Sequence, residues 1–101
     1  MKTDAEGFLL DFRDWNMELA EELANANDIV LSPEHWEIIE LAQSFFHEFD
    51  YAPSQRPLAN FIKSKLGKDK ASSIYLMQLF GASPAKMVAR LGGLPKPKNC
   101  L

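Results

Sequence analysis

The stretch Leu31-Ser32-Pro33-Glu34-His35-Trp36-Glu37-Ile38-Ile39-Glu40-Leu41-Ala42-Gln43-Ser44-Phe45-Phe46-His47-Glu48-Phe49 decides the fold class. It opens with a hydroxyl at the N-cap, a proline at the first helical position and an acid in the first turn. Those three features mark a helix start. Trp36, Ile39, Ala42, Phe45, Phe46 and Phe49 then recur at helical spacing, and Ile38 and Leu41 widen the apolar face. A face that wide must be covered by other helices, which predicts the central helix of a bundle. Asp50-Tyr51-Ala52-Pro53-Ser54 breaks it.

The flanking sequence repeats the pattern. Upstream, Asp14 is the expected cap of a helix with Trp15, Leu19, Ala20 and Leu23 on one face, ending near Asn25-Ala26-Asn27-Asp28. Downstream, a third helix reads from Pro57 to Leu66, with Leu58, Phe61, Ile62 and Leu66 inward and Gly67 as its stop. Lys68-Asp69-Lys70 reads as a loop. A fourth helix runs from Ser72 to Phe80, with Ile74, Tyr75, Leu76 and Leu79 inward. A fifth starts at Ser83-Pro84, carries Val88 and Leu91, and ends at Gly92-Gly93. Strand signal is confined to Glu6-Gly7-Phe8-Leu9-Leu10, which reads as half of a small hairpin. The expectation is a mainly α, compact bundle of about five helices with a small N-terminal β-hairpin.

Length and composition agree with one domain: 101 residues, 47% hydrophobic and 25% charged. No apolar run suits a membrane span or a signal peptide. One cysteine excludes an intrachain disulfide and points to a reducing, cytoplasmic setting. The charges are segregated. Residues 1–50 hold 13 acidic and 2 basic side chains, and residues 51–101 hold 1 acidic and 9 basic. The basic half is the part suited to an anionic partner, including direct contact with nucleic acid.

The last eight residues, Leu94-Pro95-Lys96-Pro97-Lys98-Asn99-Cys100-Leu101, change character. Alternate prolines forbid helix and favour extended polyproline II, and two lysines keep the segment solvated. The chain therefore divides into a helical domain, 1–93, and a flexible arm, 94–101, with Gly92-Gly93 as a hinge between the fifth helix and the arm. Seven steps from Gly93 at roughly 3.1 Å each give Cys100 a reach of about 20 Å.

Cys100 is the candidate catalytic residue. A thiolate attacks persulfides and disulfides, and such attack requires access more than an elaborate pocket. Pro95, Lys96, Pro97 and Lys98 would present it. With no second thiol, a persulfide on Cys100 must pass its sulfur to another molecule. His35 and His47 are not spaced to share a metal and read as structural or surface residues, and no nucleophile elbow, phosphate loop or metal motif is present. Neither a metal nor an organic cofactor is expected.

Leu31-Ser32-Pro33-Glu34-His35-Trp36-Glu37 and the terminal Gly93-Leu94-Pro95-Lys96-Pro97 run followed by Cys100-Leu101 resemble the TusE/DsrC family of sulfur-relay proteins. Gly7-Phe8-Leu9, Trp15, Ala52-Pro53, Gln55-Arg56, Tyr75-Leu76, Leu79-Phe80 and Pro84-Ala85-Lys86 follow in the family's order. The resemblance implies a sulfurtransferase in the relay sense, with the penultimate cysteine, here Cys100, as the sulfur carrier. For TusE-like members it implies a TusBCD-like donor complex. The implied acceptor is an MnmA-like tRNA-thiolating enzyme with its tRNA, in 2-thiouridine synthesis at the wobble uridine. DsrC-type members carry a second cysteine eleven residues before the penultimate one, where this chain has Ala89. A TusE-like carrier is therefore favoured. Arg56 is retained as a candidate contact for the arm or an anionic sulfur species. The family's arginine and second tyrosine in its Ser-Arg-Tyr-Leu-Tyr segment are Ile74 and Met77 here. The alternatives are a regulatory or DNA-binding helical module, for which two helices around a lysine-bearing turn at Pro57 to Phe80 would serve, or a divergent DsrC-like partner of another sulfur-metabolism complex.

Overall fold

The computed structural model describes residues 3–98, and they form a mostly helical body without a sheet. Six α-helices follow in order: α1 (Met17–Ala26), α2 (Pro33–Phe49), α3 (Gln55–Leu66), α4 (Lys68–Ala71), α5 (Ser73–Phe80) and α6 (Pro84–Leu91). The expected central helix is α2; its buried Ile38, Ile39 and Ala42 join one core, and Phe45 is buried beside Phe49, Tyr51 and Phe61. That core takes Ala24 from α1, Leu58 and Ile62 from α3, Leu76 and Phe80 from α5, and Ala85, Val88, Ala89 and Leu91 from α6.

α2 starts where the sequence places it, with a partner that sequence reading missed. The Ser32 hydroxyl accepts from the His35 backbone N–H, and His35 Nδ1 accepts from the Ser32 N–H at 3.1 Å and from its hydroxyl at 2.7 Å. The imidazole stands where a capping box ordinarily has Glu or Gln. Its Nε2–H donates to the Leu79 carbonyl at 2.7 Å, and its ring meets Phe80 edge-on. His35 is thus a buried strut between α2 and α5.

Four local expectations are corrected. Asn16, not Asp14, caps α1, its side chain accepting from the Leu19 N–H at 2.8 Å. Phe12 to Asp14 form one 3-10 turn, and Trp15 stays extended, outside the helix. Lys68-Asp69-Lys70 is the start of a short helix, fastened to α2 by the Lys70–Glu37 ion pair at 2.7 Å. That hydrogen bond to Glu37 raises the Lys70 pKa above the ordinary lysine value. Ile74 points outward, 72% exposed, because α5 turns Leu76 and Phe80 inward. The N-terminal hairpin reduces to one antiparallel bridge, Thr3 to Leu9, around a turn held by Asp4.

Candidate functional site

Burial extends beyond the sequence boundary at residue 93. Leu94 is 0% exposed and belongs to the core, and Pro97 is also buried. The turn that carries the chain from α6 into this segment is a Schellman cap. Gly93 takes a left-handed φ of +75°, its N–H donates to the Arg90 carbonyl at 3.3 Å, and the Leu94 N–H donates to the Ala89 carbonyl at 2.9 Å. Two distant side chains hold the turn. Trp15 Nε1–H donates to the Leu91 carbonyl at 2.8 Å, and the Gln43 amide donates to the Gly92 carbonyl at 2.9 Å. Gly92-Gly93, read as a hinge, is a buried turn that both Trp15 and Gln43 contact and hydrogen-bond.

Past the turn, the N-terminal segment supports the chain. The Lys96 ammonium meets the Glu6 carboxylate at 3.0 Å. Arg90 Nε donates to the Glu6 backbone carbonyl at 2.7 Å, while its guanidinium lies 5.0 Å from the centre of the buried Phe8 ring. Pro95 is exposed. Lys98, also exposed, lines a cleft of about 280 Å³ with Tyr51, Ala52, Ser54 and Pro57. Arg56 is exposed near the start of α3, between Ser54 and Pro57 of the same cleft. The Gln55 side chain reaches α6, its Oε1 accepting from the Ala85 N–H at 3.2 Å.

Of the candidate site residues, the structure thus anchors Lys96 and Pro97 and brings Lys98 beside the cleft near Arg56. Cys100 lies outside the described residues. Covalent geometry puts its Cα at most about 7 Å from that of Lys98, two residues away. Ala89 is buried in α6. Ile74 and Met77, the departures from the family pattern, both lie on the outer side of α5, so they alter surface and leave the core intact. Backbone order parameters offer a check on the rooted segment. Leu94 and Lys96 are expected near the value of about 0.85 typical of rigid backbone, as in α2, and values below about 0.6 would restore the hinge.

A small helical body with an extended segment, residues 94–98, packed on it beside a cleft defines the fold class. The comparisons specify it. The whole chain, residues 1–101, matches the family described as DsrC like protein. Sulfurtransferase TusE of Buchnera aphidicola subsp. Acyrthosiphon pisum is 43% identical, over 100% of this chain and 89% of the relative. The solution structure of Allochromatium vinosum DsrC superposes with a TM-score of 0.87 at 39% identity, covering 98% of this chain and 88% of that one. The oxidized γ-subunit of the dissimilatory sulfite reductase (DsrC) from Archaeoglobus fulgidus gives 0.83 at 35%, covering 100% and 92%.

The chain belongs to the DsrC-like family. With sulfurtransferases among its full-length relatives, its work is sulfur transfer. No helix among the described residues is long and apolar enough to cross a membrane.

Proposed function

We propose that Cys100 carries persulfide sulfur from a TusBCD-like donor complex to an MnmA-like thiolating enzyme and its tRNA, in the cytoplasm, for 2-thiouridine synthesis at the wobble position. The observation that carries this reading is the placement of the single cysteine. It is the penultimate residue of a chain alike over its full length to sulfurtransferases named TusE, and Ala89 replaces the second thiol that DsrC-type chemistry uses. The Cys100 thiolate attacks the outer sulfur of a donor persulfide. A Cys100–sulfur bond forms, the donor's S–S bond breaks, and the donor leaves as a thiolate, with no net oxidation. The same exchange, with Cys100 as the persulfide, unloads it. Arg56 and Lys98 supply positive charge for this exchange, Lys96 ties the segment to Glu6, and Pro95 and Pro97 keep it extended.

The arm that works in this way is shorter than residues 94–101, since Leu94 and Pro97 are held on the body. The test is a reconstituted thiolation reaction containing desulfurase, donor complex, thiolating enzyme and tRNA, with products resolved on a mercury-containing gel. Thiolated tRNA should accumulate with the wild-type chain and stay at background with Cys100→Ser. Equal accumulation with both would refute the carrier role.

A further inference from the structure

We infer that the aromatic face built from Phe45, Phe49, Tyr51 and Phe61 is the seat of the protein that exchanges sulfur with Cys100, an inference that rests on the carrier reading above. The first support is reach. Leu94 and Pro97 are buried, and Lys98 shares its cleft with Tyr51 and Pro57. Cys100 follows two residues later, at most about 7 Å away between Cα atoms. A protein whose sulfur bonds to Cys100 therefore covers the surface around Tyr51.

The second support is the surface itself. Phe45 contacts three rings, with centroids 4.6 Å from Phe49, 5.3 Å from Tyr51 and 5.4 Å from Phe61. Phe45 is buried, yet Phe49 and Tyr51 remain 45% and 42% exposed. Large rings fixed from beneath lose little entropy when covered, and such rings dominate protein–protein binding energy. The third support is charge. Lys65 sits 5.4 Å from the Phe61 ring centre, and Arg56 and Lys98 are exposed on α3 and at the cleft. Glu48 and Asp50, the chain neighbours of Phe49, are exposed as well. Exposed rings among charges of both signs match the make-up of a protein–protein contact, whereas a nucleic-acid face is dominated by cations. The fitting partner bears a reactive cysteine, an apolar projection for the rings and acidic groups opposite Arg56 and Lys65. The occupant is the persulfide-bearing donor protein, which must approach Cys100 to load it.

The test compares two ways of loading Cys100 in the full chain. One reagent is the persulfide-bearing TusBCD-type donor complex, and the other is glutathione persulfide, which needs no docking surface. Phe49→Ser with Tyr51→Ser should slow single-turnover loading from the donor complex about tenfold or more, the loss expected for truncating interface anchors. Loading by glutathione persulfide should be unchanged. Arg56→Glu with Lys65→Glu, which leaves the rings in place, should also slow the donor reaction and weaken its salt dependence. Unchanged donor loading in both variants would overturn the inference, as would an equal loss with both reagents. An RNA-binding signal removed by the serine pair, with donor loading intact, would overturn it in favour of nucleic acid. If neither reagent loads the wild-type chain, the carrier reading itself fails and takes this inference with it.

Discussion

Incubated with a cysteine desulfurase and the relay proteins upstream, the wild-type chain gains about 32 Da, one sulfur atom joined to Cys100 by thiolate attack on a persulfide. The Cys100→Ser chain gains nothing. The expected contrast is complete because the sequence holds no other thiol that can accept sulfane sulfur. Reductant should return the loaded chain to its starting mass, since the added atom is held by an S–S bond. Intact mass spectrometry with and without reductant reads all of this on the whole protein. Serine keeps the size and solvation of the side chain, so thermal melts of the two chains should coincide. A mass gain shared by both would place the sulfur elsewhere and end the assignment to Cys100.

Gly93→Ala is expected to be the most damaging small substitution in the molecule. The residue sits at φ +75°, where a side chain costs roughly 1–2 kcal/mol. The new methyl would also lie 2.6 Å from Trp15 Cδ1 and 2.8 Å from its Cβ and Cγ. No carbon tolerates such approach, so Trp15 must shift and strain its bond to the Leu91 carbonyl. Overpacking of this kind costs roughly 1–3 kcal/mol. Together the two effects give about 3 kcal/mol, and for a domain this small that lowers the melting temperature on the order of 15 °C. Gly92→Ala is the control. Its φ is −87° and its nearest foreign atom is the Val88 carbonyl oxygen at 3.1 Å, so the penalty should be markedly smaller. A double-mutant cycle with Trp15→Gly, which removes Cβ as well as the ring, separates the two causes, because the clash disappears in that background while the backbone strain remains. An undiminished penalty there would mean that Trp15 does not press on the turn.

The Gly93 result would bear on function through position. The turn is the root from which residues 94–98 reach the cleft beside Tyr51. Displacing it would loosen Leu94 from the core and Lys96 from Glu6. Sulfur loading from a protein donor should then fall more than loading from a small persulfide, since only the former depends on where the thiol is held.

Much of the molecule was legible from residue order. The apolar stripe of α2, the Ser32-Pro33 start, the Ser72 cap and the glycine after α6 are local signals. Each works through groups three to five residues apart, the same spacing that makes them readable. The lone penultimate cysteine and the alanine at position 89 were equally open to inspection, because they are matters of composition and place.

What only the tertiary structure decided depends on partners far apart in the chain. Trp15 reads as the head of a helix stripe, yet it stays extended because its indole bonds a carbonyl 76 residues away. Gly92-Gly93 reads as a hinge from local sequence, which gives no sign that Gln43, 49 residues upstream, bonds its carbonyl. The Pro-Lys alternation after Gly93 says solvated, but Leu94 and Pro97 find apolar cover and Lys96 finds Glu6. His35 looked incidental until Leu79 supplied the acceptor for its second nitrogen. Contacts of this range leave no periodicity in a single sequence, because either partner taken alone is compatible with many others. Closing the core selects among them, and that selection brings Lys98 to the cleft beside Tyr51.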